Sequence, residues 1–254
     1  MESVKNALRL RETALGGWIQ IGHPGIAEIF GRAGFDWVCV DMEHGDTEGS
    51  LPNIMRALGG YKPVPFVRVE ENNVLKIRRA LDMGARGIIV PLVNTPEEAK
   101  RAVAAAKYPP AGVRGFAFCR ANEWGRDFDE GVVSANSELS VVVMIESRQA
   151  VENIESILAV EGVDGVFVGP YDMSGSYGVT GETEHPFIQE ACRRVSKACE
   201  KRGKSAGIHI VAPTREKIIK ARQDGFTFIA LGMDTVFLAE GAQKALGELK
   251  GTNT

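Results

Sequence analysis

Residues 140–147 read SVVVMIES: five apolar side chains in a row, closed by Glu146 and Ser147. A strand with one wet face alternates apolar and polar residues, whereas a strand covered by helices on both faces stays apolar throughout. This run is of the second kind. Working outward, comparable runs occur at 16–22 (GGWIQIG), 37–41 (WVCVD), 63–69 (PVPFVRV), 87–93 (GIIVPLV), 165–170 (GVFVGP), 205–211 (SAGIHIV) and 226–232 (FTFIALG), which makes eight strands in all. Helix signals fill the gaps. Ser50 caps SLPNIMRALGG, with Pro52 in the first turn and Gly59 at the stop; Val74, Ile77 and Leu81 share a face before Gly84. Thr95 caps TPEEAKRAVAAAKYPP, with Pro96 at the first helical position and acids in the first turn. Helices are also expected over 148–160, 187–202 and 214–224, and an amphipathic one after Asp234. Eight strands with crossover helices predict an α/β chain folded as a (β/α)8 TIM barrel. A doubly wound open sheet shares the alternation, and strand count alone does not separate the two.

The length of 254 residues fits a single barrel domain over 1–254. Hydrophobic residues make up 44% and charged residues 25%, enough to build a core without a disulfide or metal staple. A formal net charge of -3 gives no electrostatic case for nucleic acid or an anionic membrane as partner. The opening MESVKNALRLRETALGG lacks the apolar centre of a secretory signal, and no apolar run approaches the ~20 residues that span a bilayer. Cys39, Cys119, Cys192 and Cys199 form no CxxC pair, so they read as reduced thiols of a cytoplasmic protein. The longest irregular stretch, 112–138, is expected to be functional or packed on another subunit.

In a barrel, reactive groups sit where strands end, at the carboxyl face. The second strand ends in Asp41 and leads to Glu43 and His44, the third ends with Arg68, the fifth with Glu146, and the sixth leads through Gly169 and Pro170 to Asp172. Polar residues also end strands and cap helices for purely local reasons, and Asp41, Ser147 and Asp172 each fit that reading alone. It suits Arg68 and Glu146 less well. Each closes a strongly apolar run, where an unpaired charge costs several kcal/mol, so each wants a partner. Glu146 and Asp172, on adjacent strands, suit a hard divalent cation such as Mg²⁺, which takes one or two carboxylates and keeps open positions. Arg68 offers a fork of donors for a substrate carboxylate or an enolate oxygen. His44 is the natural acid/base at neutral pH.

Absences narrow the chemistry. A Schiff-base aldolase wants a lysine inside the barrel, and GVFVGP has none. The loops after strands seven and eight, APTRE and LGMDT, lack a glycine-rich phosphate cradle. The glycines of GPYDMSGSYG read as turn-formers that let Asp172 reach inward. His23 and His185 fall in loops, and His209 reads as a hydrogen-bonded residue of the barrel interior.

AGFDWVCVDMEHG, GARGIIVPLVNTPEEAKRAVAAAKYPPAGVRG, MIES and VDGVFVGPYDMSGSYG resemble the HpcH/HpaI family of metal-dependent aldolases, over about 18–234. The resemblance implies a barrel of the phosphoenolpyruvate/pyruvate type, with the C-terminal helix swapped between subunits of a homo-oligomer, a hexamer built as a trimer of dimers. It implies a class II aldolase that reversibly cleaves a 4-hydroxy-2-oxo acid to pyruvate and an aldehyde. The cation would be Mg²⁺ or Mn²⁺, with Co²⁺ or Zn²⁺ as further options. The family's metal carboxylates fall on Glu146 and Asp172, its pyruvyl-oxygen arginine on Arg68, its histidine on His44 and that histidine's acid partner on Asp82. Asp82 ends a helix and belongs at the opposite end of its own barrel, so pairing with His44 would need a neighbouring subunit. Trp18, Met144, Gly169, Pro170, Tyr171 and His209 are the expected substrate contacts. Three depart from the family pattern: Met144 stands for Gln, Tyr171 for Ala and His209 for an apolar residue, which bears on the choice of substrate. Other enolate reactions on the same site, such as oxaloacetate decarboxylation or malyl-type cleavage, remain alternatives, as does a barrel that only binds a small acid.

Overall fold

All eight apolar runs are strands of one closed parallel sheet, ordered β1 to β8 around the barrel with β8 pairing back onto β1. The computed structural model describes residues 4–250. The strands are β1 (Ala14–Ile19), β2 (Trp37–Asp41), β3 (Val64–Arg68), β4 (Gly87–Val90), β5 (Ser140–Ile145), β6 (Gly165–Val168), β7 (Ser205–Ile210) and β8 (Phe228–Met233). Closure rules out the open sheet. Helices cross over between successive strands, as a parallel barrel requires.

The two-residue period of each strand sorts side chains into two cores. Val38, Val40, Val67, Ile88, Val141, Val143, Val166 and Ile229 point outward, into the shell against the helices. Trp37, Cys39, Phe66, Ile89, Val142, Met144, Phe167 and Phe228 point inward and fill the barrel. The interior aromatics interlock, with Trp37 stacked on Phe228 at 3.9 Å. Their bulk is why inward positions on neighbouring strands are glycines. A Cβ on Gly16 would stand 2.1 Å from the Trp37 ring, and one on Gly87 would stand 2.1 Å from Phe66. The helix Val4–Leu10 inserts Val4 and Leu8 into the same interior cluster and closes the foot of the barrel. Lys5 anchors it, reaching Asp164 at 2.8 Å. All four cysteines are buried and free.

Three segments differ from the sequence expectation. The stretch 112–138 is not wholly irregular: it holds a 3-10 segment (Arg120–Gly125) and the helix Phe128–Glu138. That helix buries no residue, so it has no apolar stripe to betray it in the sequence. The helix expected over 148–160 breaks at Asn153 into Arg148–Glu152 and Ile154–Leu158. GPYDMSGSYG is not a turn: Pro170–Ser176 is a short helix with Pro170 at its start and Asp172 in its first turn. The last helix runs Asp234–Lys250.

Candidate active site

The inward parity of the strands fixes what stands at the carboxyl mouth. Asp41 continues the series 37–39, Arg68 continues from 66, Glu146 from 142–144, Gly169 from 165–167, and His209 from 205–207. Asp41 and Arg68 are register partners on adjacent strands. Arg68 turns the fork formed by Nε and Nη2 onto Asp41, donating to Oδ1 at 2.8 Å and to Oδ2 at 2.6 Å. Its Nη1 lies 3.0 Å from Glu43. The fork expected to grip a substrate carboxylate is therefore already taken, and what Arg68 can offer a ligand is the remaining hydrogens at its guanidinium tip.

Asp41 is fully buried and accepts six hydrogen bonds, three on each oxygen. Oδ1 takes Arg68 Nε and the backbone N–H groups of Glu43 and His44; Oδ2 takes Arg68 Nη2, Trp18 Nε1 and Gln20 Nε2. Burial works against its charge, but the hydrogen bonds and charge of Arg68 prevail and hold the carboxyl below its ordinary value. Conversely, Arg68 is desolvated yet held firmly cationic by Asp41. The Arg68 guanidinium also lies 5.1 Å from the centre of the Trp18 ring, and Trp18 stacks on His209 at 5.0 Å. His209 Nε2 lies 3.0 Å from the carbonyl of Gly232, and burial lowers its pKa to about 4. Its ring is neutral at physiological pH.

Glu146 is 5% exposed, one residue past the end of β5. Its Oε1 accepts the N–H of Leu92 at 2.6 Å. Leu92 has φ of 55°, an unusual backbone for a non-glycine residue, and that conformation aims its N–H at the carboxylate. Gly169 leaves room beside it, because a Cβ there would stand 3.0 Å from both Cβ and Oε2 of Glu146 and press on the carboxylate. Met144 sits just below, its Cε 3.5 Å from the same point. Burial first, then the negative charges of Glu43 and Asp172, push the Glu146 carboxyl up to about 7, against the pull of Leu92 and Arg68. Glu146 thus feels the charges of Glu43 and Asp172 together with that of Arg68, which is itself shared between Asp41 and Glu43. Among the described residues no cluster of three or more His, Cys, Asp or Glu side chains forms a ready-made metal cage. Two carboxylates with excess negative charge are nonetheless the donor set that Mg²⁺ or Mn²⁺ accepts, with water and substrate completing the shell.

His44 stands on the rim, 63% exposed, with Nε2 3.9 Å from Glu43 Oε2. Tyr171 is also outward at the mouth, 66% exposed, next to Pro170. Asp82 does not join them. It ends the helix Val74–Asp82, close to Arg86, whose N–H donates to the carbonyl of Pro65 at the start of β3, so it lies at the foot of the barrel. There it pairs at 2.9 Å with Arg114, which is buried and packed over Tyr108. Within one chain the expected His44–Asp82 pair is absent, and the reason is the one the helix direction supplies.

Four contributors escaped the list of expected site residues. Asp41 has the look of a local cap, and it is one for the 43–44 turn, but it is also the anchor of Arg68. Glu43 stands among the strand-end charges of the sequence, but nothing there shows that it faces Arg68, and Gln20 falls inside the run expected as the first strand, one residue past its observed end. Leu92 acts through its backbone alone, which no side-chain motif records.

The family model described as HpcH/HpaI aldolase/citrate lyase matches residues 15–240. The 5-keto-4-deoxy-D-glucarate aldolase of Escherichia coli O6:H1 is 37% identical over 249 residues, covering 97% of this chain and 96% of its own. Among solved structures, an HpcH/HpaI aldolase/citrate lyase family protein from Burkholderia cenocepacia superposes with a TM-score of 0.92 at 33% identity, covering 97% and 98% of the two chains. The citrate synthase SbnG superposes with a TM-score of 0.84 at 29% identity, covering 98% of each. Barrel and sequence likeness agree: the chain belongs to the HpcH/HpaI aldolase/citrate lyase family, and it is an aldolase-type carbon–carbon lyase.

Proposed function

We propose that the chain reversibly cleaves a 4-hydroxy-2-oxo acid to pyruvate, or a close analogue of it, and an aldehyde, by way of an enolate, with a divalent cation held by Glu146 and Asp172. The observation that carries this reading is Glu146: a buried carboxylate, one oxygen fixed by the Leu92 N–H and the other beside Gly169, in the field of two more acids. When bound, the cation supplies a Lewis acid at the oxo group. Arg68 holds its guanidinium tip toward the same space, so developing negative charge on the oxo oxygen meets a cation preorganised by Asp41 and Glu43. His44 Nε2, on the rim beside Glu43, takes the proton of the C4 hydroxyl directly or through water as the carbon–carbon bond breaks. Trp18 and Met144 form the apolar floor beneath the enolate carbon, with the His209 ring stacked on Trp18. Asp82 supports His44 only if a neighbouring subunit brings its foot to this mouth.

The relative named for 5-keto-4-deoxy-D-glucarate favours a polyhydroxylated acid as substrate. The likeness to a citrate synthase favours one second reading, a different enolate reaction on the same residues, such as oxaloacetate decarboxylation or malyl-type cleavage. Assembly into a homo-oligomer is supported by exposed Phe116, Phe118, Trp124 and Val133 along 112–138. The test of function is a retro-aldol screen of hydroxy-2-oxo acids with coupled pyruvate detection, with and without chelator. Pyruvate release that stops with chelator is expected. Aldehyde-independent loss of oxaloacetate, with no aldol in either direction, would favour the second reading.

A further inference from the structure

We propose that His209 sets substrate choice by accepting, at Nδ1, a hydrogen bond from a hydroxyl on C3 of the 2-oxo acid, so that the preferred nucleophile component is a 3-hydroxylated 2-oxo acid rather than pyruvate. This rests on the aldolase reading above.

The ring is held in one orientation. Trp18, 2% exposed and tied to Asp41 through Nε1 at 3.2 Å, stacks on it at 26° between planes. Rotation within that stack is fixed by the contact between Nε2 and the Gly232 carbonyl at 3.0 Å. A carbonyl only accepts, so Nε2 carries the hydrogen, and a neutral imidazole then presents Nδ1 as a bare lone pair. Burial keeps that nitrogen from taking a proton at neutral pH.

No protein donor among the described residues meets Nδ1. The nearby ones are committed elsewhere: Trp18 Nε1 and the Gln20 amide to Asp41, and Arg68 to Asp41 and Glu43. Below His209 the barrel interior is packed with Phe167 and Phe228. The residue itself is half-buried, next to the last position of β7, so the open side is the mouth. A ligand or a water must supply the hydrogen.

Position selects C3. The carboxylate and oxo oxygens of a 2-oxo acid face Glu146, Asp172 and the tip of Arg68. β7 is hydrogen-bonded to β6, about 4.8 Å away. In the proposed pose the next carbon along is set against the Trp18–His209 wall, on the β7 side of the mouth. A methyl group there leaves the lone pair to water, while a hydroxyl satisfies it. A site with access to water gives less discrimination than a sealed one, so a preference of roughly tenfold to a hundredfold is expected.

The test is exchange of C3 hydrogen for solvent deuterium, without aldehyde, in Mg²⁺-supplemented protein, comparing hydroxypyruvate with pyruvate. Wild type should exchange hydroxypyruvate at least about tenfold more efficiently. His209→Leu should erase that preference by slowing hydroxypyruvate exchange at least about tenfold more than pyruvate exchange, with an unchanged melting profile reporting an intact fold. His209→Gln, which keeps an acceptor oxygen, should restore part of it. Independently of turnover, ¹⁵N NMR should show the Nε2-protonated tautomer and a shift of Nδ1 on adding hydroxypyruvate but not pyruvate. Pyruvate preferred by wild type, equal slowing of both acids in His209→Leu, or an effect seen only once an aldehyde is added would overturn the proposal. No exchange of either acid by wild type would sink the aldolase reading itself, and this proposal with it.

Discussion

Asp41→Asn is the sharpest single perturbation of this site. The side chain keeps its shape but exchanges one acceptor oxygen for an NH2 group. Since each Asp41 oxygen receives three donors, either orientation of the amide sets a donor against three others. Each unmet buried donor costs about 1–3 kcal/mol, and removing one partner of a buried ion pair costs about 3–5 kcal/mol. Glu43 still neutralises Arg68 in part, so about 4 kcal/mol is a reasonable total. For a chain of this length that lowers the melting temperature by about 10 °C. Calorimetry measures it, and a cycle with Arg68→Met tests the cause: the double variant should lose clearly less than the sum of the single ones. The acid limb gives a second readout. Asp41 ionises more readily folded than unfolded, so its contribution is complete above the unfolded value of ~4 and is lost as pH falls through the folded value. Wild type should therefore destabilise toward acid more steeply than Asp41→Asn. A variant that melts within about 1 kcal/mol of wild type, with full additivity against Arg68→Met, would refute the clamp.

Arg68→Ala should cost roughly 3 kcal/mol of barrier, about a hundredfold in turnover, with near-normal turnover counting against its role. Gly169→Ala forces Glu146 aside, because the new methyl stands 3.0 Å from its Cβ and Oε2; weakened cation binding with an otherwise ordinary melting profile is expected. Asp82→Asn leaves the buried Arg114 short of a full counter-charge and should lower stability by about 2–3 kcal/mol. A large loss of turnover at unchanged melting temperature would instead show that Asp82 works across a subunit contact.

The barrel was legible because strands buried on both faces write themselves as unbroken apolar runs, and the 37–41 run matches its strand to the residue. The strand-end charges were legible for a related reason: Arg68 and Glu146 break runs that should stay apolar. Which partner each had chosen was not, because Asp41 meets Arg68 through register across two strands that are 27 residues apart in sequence. Phe128–Glu138 escaped because a helix that buries none of its residues has no periodic stripe. The role of Leu92 lies in a φ angle and a backbone N–H, and leucine at that position says nothing about either.

The central claim is that Glu146 and Asp172 together hold a divalent cation that the lyase reaction needs. Titrating metal-free protein with Mn²⁺, and following the free-ion signal by electron paramagnetic resonance, tests it most directly. The account predicts one tight site per chain, abolished by Glu146→Gln and by Asp172→Asn alike. Mn²⁺ bound with unchanged affinity in both variants would contradict it.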